Sequence, residues 1–383
     1  MKSPFRRHFD LPSSVCYLDA ASITPRATHV AAVGIEAIGR TVKPWAHRNF
    51  DKAPLVQRLR EMTAALIGAN PGDMALVPAV SYGIATAAAN VAVRAGSRVL
   101  ALEGDHPSSV LAWQGAALAA GASVDTVARP TDGDWTRAIL ERVEDTQAPD
   151  VSVAALAPVH WSDGALIDLS RIAPPLQARG AALVIDATQA AGVMPLDVQQ
   201  LQPDFLTFPA YKWLMGPYGC AYLYAHPKHQ QGVPLEHHMG NRVFPNLTLR
   251  DAPRDFAFLP GAQRFDRGER DDGLLLSLAV EGLALVHSVP ATERLAHVSA
   301  LSARLVEGLA GLPLDCLPAP LRAPHIVGVQ LHGAEALPTA RALEQVSVFT
   351  SARLGNLRVA PYLYNDHNDI DTFIARLAPL LGA

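Results

Sequence analysis

The chain has 383 residues, 49% of them hydrophobic and 18% charged, with a formal net charge of -4. That length exceeds one ordinary core and fits two domains, and the composition describes a well-buried globule, not a disordered or fibrous chain. The near-neutral charge balance excludes nucleic acid or an anionic membrane as the expected main partner.

At the start, Arg6 and Arg7 are followed by Phe9-Asp10-Leu11-Pro12-Ser13. A secretory leader would continue in an apolar run, so none is expected. Cys16, Cys220 and Cys316 lie far apart with no CxxC pair. Neither a disulfide framework nor a zinc site is expected, and a reducing cytoplasm fits best. No apolar run reaches the roughly 18 residues that a membrane helix needs.

Leu55, Leu59, Met62 and Leu66 share one helical face, and Gly68 follows as a stop. Short apolar runs bounded by turn residues then recur at Met74–Val77, Arg98–Leu102, Val151–Ala157, Ala181–Ile185, Asp204–Phe208 and Cys220–Tyr224. Helix-like stretches lie between most of them: Tyr82–Arg94, Val110–Ala120, Trp135–Arg142 and Leu169–Arg179. Fully apolar strands alternating with helices predict an α/β fold with a mostly parallel sheet covered on both faces. The stretch His226–Arg270, rich in Pro, Gly, His and Arg, reads as long loops. Helices Leu274–Val289 and Thr292–Leu312 come next. The remainder reads as a small α+β unit: Ile326–Leu331, helix Pro338–Gln345, Val346–Thr350, Arg358–Pro361 and helix Ile370–Leu381.

In such a sheet, ligands collect at the carboxyl ends of the strands. The apolar strand ending in Asp186, with Gln189 three residues on, puts a carboxylate where ionisation is costly unless a cation faces it. A protonated pyridine nitrogen is such a cation. The strand Asp204–Phe208 runs into Lys212 within a Gly- and Pro-punctuated loop. An amine at an apolar strand end has its charged form disfavoured and becomes nucleophilic. Val77-Pro-Ala-Val80-Ser81 reads as strand, turn and helix start, where backbone N–H groups and the Ser81 hydroxyl would seat a phosphate. Singly, each has a plainer reading: Asp186 as a helix cap, Lys212 as a solvated loop residue, Ser81 as an N-cap.

Together these motifs resemble the class V aminotransferase family, which includes cysteine desulfurases, kynureninases and isopenicillin N epimerase-like proteins. The likeness runs from Tyr17-Leu-Asp-Ala-Ala-Ser22 to Tyr364-Asn365-Asp-His-Asn-Asp369. It implies the fold type I architecture of pyridoxal 5'-phosphate (PLP) enzymes, with a mostly parallel seven-stranded sheet in the large domain and a smaller α+β C-terminal domain. The expected boundaries are an N-terminal arm at 1–20, the large domain at 21–245, a loop and linker helix at 246–285, and the small domain at 286–383. By position, Lys212 resembles the Schiff-base lysine, Asp186 the ring-nitrogen partner and Gln189 the partner of the phenolic oxygen. His106 stands where a side chain stacks on the pyridine face; its plainer reading is a turn cap. Val80, Ser81 and Tyr211 are implied for the phosphate, and Asp163 and Trp161 for the region of the phenolic oxygen. Arg358 matches the arginine that grips the substrate carboxylate, a task suited to a planar bidentate fork. Ser22, Trp161 and His47, the last beside Arg48, are further substrate-side candidates, as is the Gly240-Asn241-Arg242 loop. The resemblance also implies a homodimer with the site at the subunit boundary.

Departures are visible too. Relatives that desulfurate cysteine carry a mobile cysteine in the loop before the carboxylate arginine, and Val346–Asn356 has none. Glu269 stands where many relatives have a threonine reaching the neighbouring subunit's phosphate. The expected activity is chemistry at Cα of an amino acid or related amine-bearing carboxylate, with Lys212 as base once the substrate amine displaces it. Transamination ranks first and a C–S or C–C lyase second, with epimerisation also open and a catalytically idle relative as the remote alternative.

Overall fold

The computed structural model describes residues 3–47, 51–243 and 256–382. After strand β1 (Cys16–Tyr17) come α1 (Thr28–Val42), α2 (Ala53–Ile67), β2 (Met74–Val77), α3 (Val80–Asn90), β3 (Arg98–Leu102), α4 (Pro107–Ala120) and β4 (Ser123–Val127). The alternation continues with α5 (Trp135–Glu144), β5 (Val151–Leu156), α6 (Leu169–Ala178), β6 (Ala182–Asp186), α7 (Val198–Leu201), β7 (Phe205–Pro209) and β8 (Ala221–Ala225). Then follow α8 (Gly273–His287), α9 (Ala291–Gly308), β9 (Leu314–Cys316), β10 (Val327–Leu331), α10 (Ala336–Glu344), β11 (Val348–Phe349), β12 (Ser351–Arg353), β13 (Asn356–Val359) and α11 (His367–Leu377).

Seven strands form one sheet in the order β2-β8-β7-β6-β5-β3-β4, with β8 alone antiparallel to its neighbours. Strands β2, β3, β5, β7 and β8 are buried throughout, because helices cover both faces. Strand β4 was not read from the sequence. It is the sheet's edge, mostly uncovered, and its Ser-Val-Asp-Thr-Val lacks the apolar run that marks the others. Gly83 lets α3 sit against β7, since a Cβ there would lie 2.5 Å from the Thr207 hydroxyl oxygen. That close approach brings the start of α3 beside the end of the strand that leads to Lys212.

The second sheet, β12-β13-β10-β9, is antiparallel and packs with α9, α10 and α11 around its own core of Leu301, Leu305, Val327, Leu357 and Phe373. The N-terminal arm joins it: β1 pairs with β11, and Arg6 bridges Asp369 at 2.8 Å. Helix α8, expected as part of a linker, instead packs against α1 and α2 and shares the large core. The reason lies in its sequence, which is apolar on nearly every side. Helix α1 was not anticipated. Between β8 and α8 the described residues form short 3-10 turns, such as Pro227–His229 and Gly261–Phe265, and one isolated antiparallel bridge between Arg242 and Phe258. Arg48 and the expected boundary near 245–246 lie outside the described residues. No single described helix is long and apolar enough to cross a membrane.

Candidate active site

From β3 the chain steps outward to β4 on one side and returns to β5 on the other, so a crevice opens between β3 and β5 at their carboxyl ends. A cavity of about 250 Å³ lies there. Its wall takes Val80 and Ser81 from the turn after β2, His106 after β3, Trp161 after β5, Asp186 and Gln189 from the end of β6, and Tyr211 and Lys212 after β7.

Lys212 stands in a tight loop: the Met215 amide donates to the Lys212 carbonyl at 3.1 Å, and the Gly216 amide to the Ala210 carbonyl at 2.8 Å. Met215 adopts φ +57, a strained value for a side-chain-bearing residue. Complete burial of Met215 and the fit of Gly282 against its backbone hold it there. Burial pushes the Lys212 amine down to about 8; Arg358 adds to the effect and Asp186 opposes it. An amine so placed is still largely an ammonium near physiological pH but keeps a useful share of free base, suited to attack and to proton transfer.

The Asp186 carboxylate accepts the Ser109 hydroxyl at 2.7 Å and the Thr188 amide at 2.9 Å. Among the described residues it makes no ion pair. Asp105 lines the same cavity, and burial together with the charge of Asp186 pushes its carboxyl up to about 6. Two carboxylates thus share a cavity wall, and neither makes an ion pair among the described residues. His106 caps a helix and also borders the cavity. Its Nδ1 accepts the Ser108 amide at 3.3 Å, capping α4, while its ring lines the cavity and meets Trp161 edge to face at 5.7 Å. Burial lowers its pKa, against a smaller raising effect of Asp186, so the ring is neutral. The Trp161 indole N–H donates to the Gly104 carbonyl at 2.8 Å and ties the loops after β3 and β5 together.

Helix α3 begins at Val80 after Ala79, which has no side chain to cap it. The Tyr82 and Gly83 amides turn back to the Ala79 carbonyl, leaving those of Val80 and Ser81 at the cavity wall. Such an end is a ready anion seat. Tyr211 stacks on Tyr218 at 3.9 Å, and burial pushes its hydroxyl up to about 12, so it remains a donor.

Other expected residues lie outside the cavity. Asp163 is paired to Arg129 behind the wall, and it also accepts the Ala165 amide at 3.1 Å. Arg358 is 1% exposed and sits under the loop after β5. It donates to the Trp161 carbonyl at 2.8 Å, Ser22 at 2.6 Å, Asp19 at 3.2 Å and Ser351 at 3.2 Å. Ser22 also accepts Arg353 at 3.0 Å. His47 opens onto a separate surface cavity with Lys52, Glu269 and Asp271. Arg242 turns away from the site and lies over the Phe258 ring at 3.4 Å. Cys220 packs against the main core and also lines the cavity, with its thiol pushed up to about 11 by burial.

Asp105, Ser109, Asp19, Arg353 and Trp213 went unread. Each is an ordinary polar or aromatic residue whose importance comes from a partner distant in sequence. The one local signal was adjacency: Asp105 precedes His106, and Trp213 follows Lys212.

The aminotransferase class-V family matches residues 16–373. A Bacillus subtilis protein named "Uncharacterized aminotransferase YcbU" is 27% identical over 83% of this chain and 82% of its own length. A Deinococcus radiodurans kynureninase is 30% identical over 68% of this chain, a match that spans 63% of the kynureninase. In fold, a C-DES variant with glycine covalently linked to its PLP cofactor superposes with a TM-score of 0.85 at 21% identity, covering 98% of this chain and 99% of that one. A cysteine desulfurase from Thermococcus onnurineus NA1 gives 0.83 at 20% identity, covering 100% and 99%. This chain belongs to the class-V aminotransferase family and is a PLP-dependent enzyme of fold type I.

Proposed function

We propose that the chain is an aminotransferase for a small amino acid or related amine-bearing carboxylate, with Lys212 as the Schiff-base lysine and Asp186 as the partner of the cofactor's ring nitrogen. One observation carries the assignment of roles: a single cavity holds an amine brought down to about 8 and a carboxylate with no cation of its own. The cofactor fits these residues. Its protonated ring nitrogen is the cation that Asp186 and Asp105 lack, and its phosphate suits the uncapped start of α3.

When bound, the cofactor supplies an electron sink for the pair left at the substrate's Cα. The protein's residues do the rest. Asp186, oriented by the Ser109 hydroxyl and the Thr188 amide, holds a proton at the ring nitrogen. The Lys212 Nζ takes the proton from Cα, its lowered pKa keeping a useful share of free amine. His106 provides the stacking face, Gln189 meets the phenolic oxygen, and Ser81, the Val80 amide and Tyr211 hold the phosphate. Arg358, oriented by Ser22 and Asp19, fixes the substrate carboxylate beside Trp161. Asp163 acts through Arg129 as a brace for the wall, and His47 has no part in its own subunit's site.

Persulfide chemistry is disfavoured. The loop before Arg358 has no cysteine, and Cys220, though at the cavity, is held as a thiol. A homodimer is supported by the exposed row of Ile35, Ile38, Val42 and Trp45 along α1 and the turn after it. Three unpaired cysteines suit a reducing compartment.

The test is a panel of amino acids added to the yellow reconstituted protein, after borohydride has been used to locate the cofactor on the Lys212 peptide. Conversion to the pyridoxamine form supports transamination. Release of a keto acid with ammonia or a thiol moves the assignment to a lyase, and an unchanged spectrum with inverted optical rotation moves it to an epimerase.

A further inference from the structure

We infer that Trp213 is a positioning residue for the cofactor ring: its indole N–H fixes the Gln189 side chain so that an amide N–H, and not the carbonyl, faces the cavity. The inference rests on the reading that Gln189 meets the cofactor's phenolic oxygen. Trp213 follows Lys212 directly and is 1% exposed. Its Nε1 donates to the Gln189 Oε1 at 3.0 Å, while the Gln189 Nε2 donates to the Ala21 carbonyl at 3.2 Å. An indole N–H can only donate and a backbone carbonyl can only accept. The two partners are of opposite kind, so one orientation of the amide satisfies both, and the reverse would leave two buried polar groups unpaired at once. With Oε1 engaged and one Nε2 hydrogen spent, the remaining hydrogen belongs to a residue that lines the cavity.

The small domain holds this lock from behind. The Trp213 ring meets His325 at 4.7 Å and Tyr362 at 5.1 Å, both edge to face, and the Tyr362 hydroxyl donates to the Trp213 carbonyl at 2.7 Å. His325 is fully buried, and burial pushes it down to about 4, so the ring is neutral. Its Nε2 carries the proton and donates to the Gln189 backbone carbonyl at 2.6 Å. Both ends of Gln189, side chain and backbone, are therefore pinned by donors whose own positions depend on the small domain.

A fixed N–H donor stabilises the phenolate form of the cofactor oxygen and weakens its hold on the shared Schiff-base proton. Trp213→Phe keeps the aromatic packing and removes the donor. In protein reconstituted with PLP, the pH midpoint of the yellow band should rise by about one unit. Gln189→Ala should raise it similarly, and the double variant should go no further, because both changes remove one interaction. An unshifted Trp213→Phe midpoint, or a double variant showing the sum of both shifts, overturns the inference. Should Trp213→Phe not fold, the cofactor-free protein still decides the matter by the nitrogen–proton spectrum of its five tryptophan indoles. One indole signal should move and exchange faster with solvent in Gln189→Ala, and five unmoved signals overturn the inference. If the unsubstituted protein takes up no PLP, the assignment of the cofactor site fails while the indole spectrum still reports on the contact.

Discussion

The loop after β5 and the last residue of β6 each carry a carboxylate near the same crevice, Asp163 behind its wall and Asp186 lining it, and their surroundings treat them oppositely. After β5, Asp163 is buried against Arg129, bonded to the Ala165 amide, and its pKa is lowered by His160 and Arg129 against the effect of burial. At the end of β6, Asp186 has a hydroxyl, an amide and a like-charged neighbour, Asp105, but no ion pair among the described residues. A carboxylate whose counter-charge is built into the protein is part of the frame. One facing a second carboxylate across a cavity has its counter-charge still to come, and a cationic ligand supplies it.

Substitutions can break this contrast. Lys212→Ala should cost the most, about 10³-fold or more in turnover, with the borohydride-fixed cofactor lost from the protein. Asp186→Ala should lower turnover about 10²–10³-fold while leaving the fold's urea midpoint nearly unchanged, because no protein cation is orphaned. Asp163→Asn should behave the other way: PLP affinity stays the same and stability falls by about 1–2 kcal/mol in urea unfolding. The cost is modest because the Arg129 side chain remains 35% exposed to water. Equal effects of the Asp163 and Asp186 substitutions on PLP affinity would erase the distinction.

Two pH effects sharpen it. Asp105 titrates near 6, so it adds a negative charge to the cavity above that value and is neutral below it. Affinity for PLP should therefore fall as pH drops through about 6. Asp105→Asn should weaken binding about tenfold and remove its share of that step, read as the difference between the two pH profiles. Lys212 is mostly an ammonium below about 8 and a free amine above it. The rate of Schiff-base formation with added PLP should climb through that pH and level off beyond it, the smallest of these changes.

Much of the seven-stranded sheet was legible because its strands are buried on both faces and so read as unbroken apolar runs, as at Val151–Leu156 and Phe205–Pro209. Strand β4 escaped for the opposite reason: it lies at the edge and carries Asp125 to the ion pair with Arg98. In the site, Lys212, Asp186 and Gln189 stood out since each interrupts an apolar context at a strand's carboxyl end. Asp163 entered only through the family resemblance, as a residue near the phenolic oxygen. Only folding revealed that Arg129, 34 residues away, already holds it.

The amino-acid order by itself determined the alternation of strands and helices, the class-V likeness, and which strand tips carry an amine and an acid, because hydrophobic period and local punctuation are properties of neighbours in the chain. The tertiary structure decided which charges are spent and which are free. Arg129 meets Asp163, Asp19 and Ser22 meet Arg358, and Trp213 meets Gln189, while Asp186 makes no ion pair among the described residues. Electrostatic pairing depends on distance in space and on burial, and neither is fixed until the sheet has closed around the crevice.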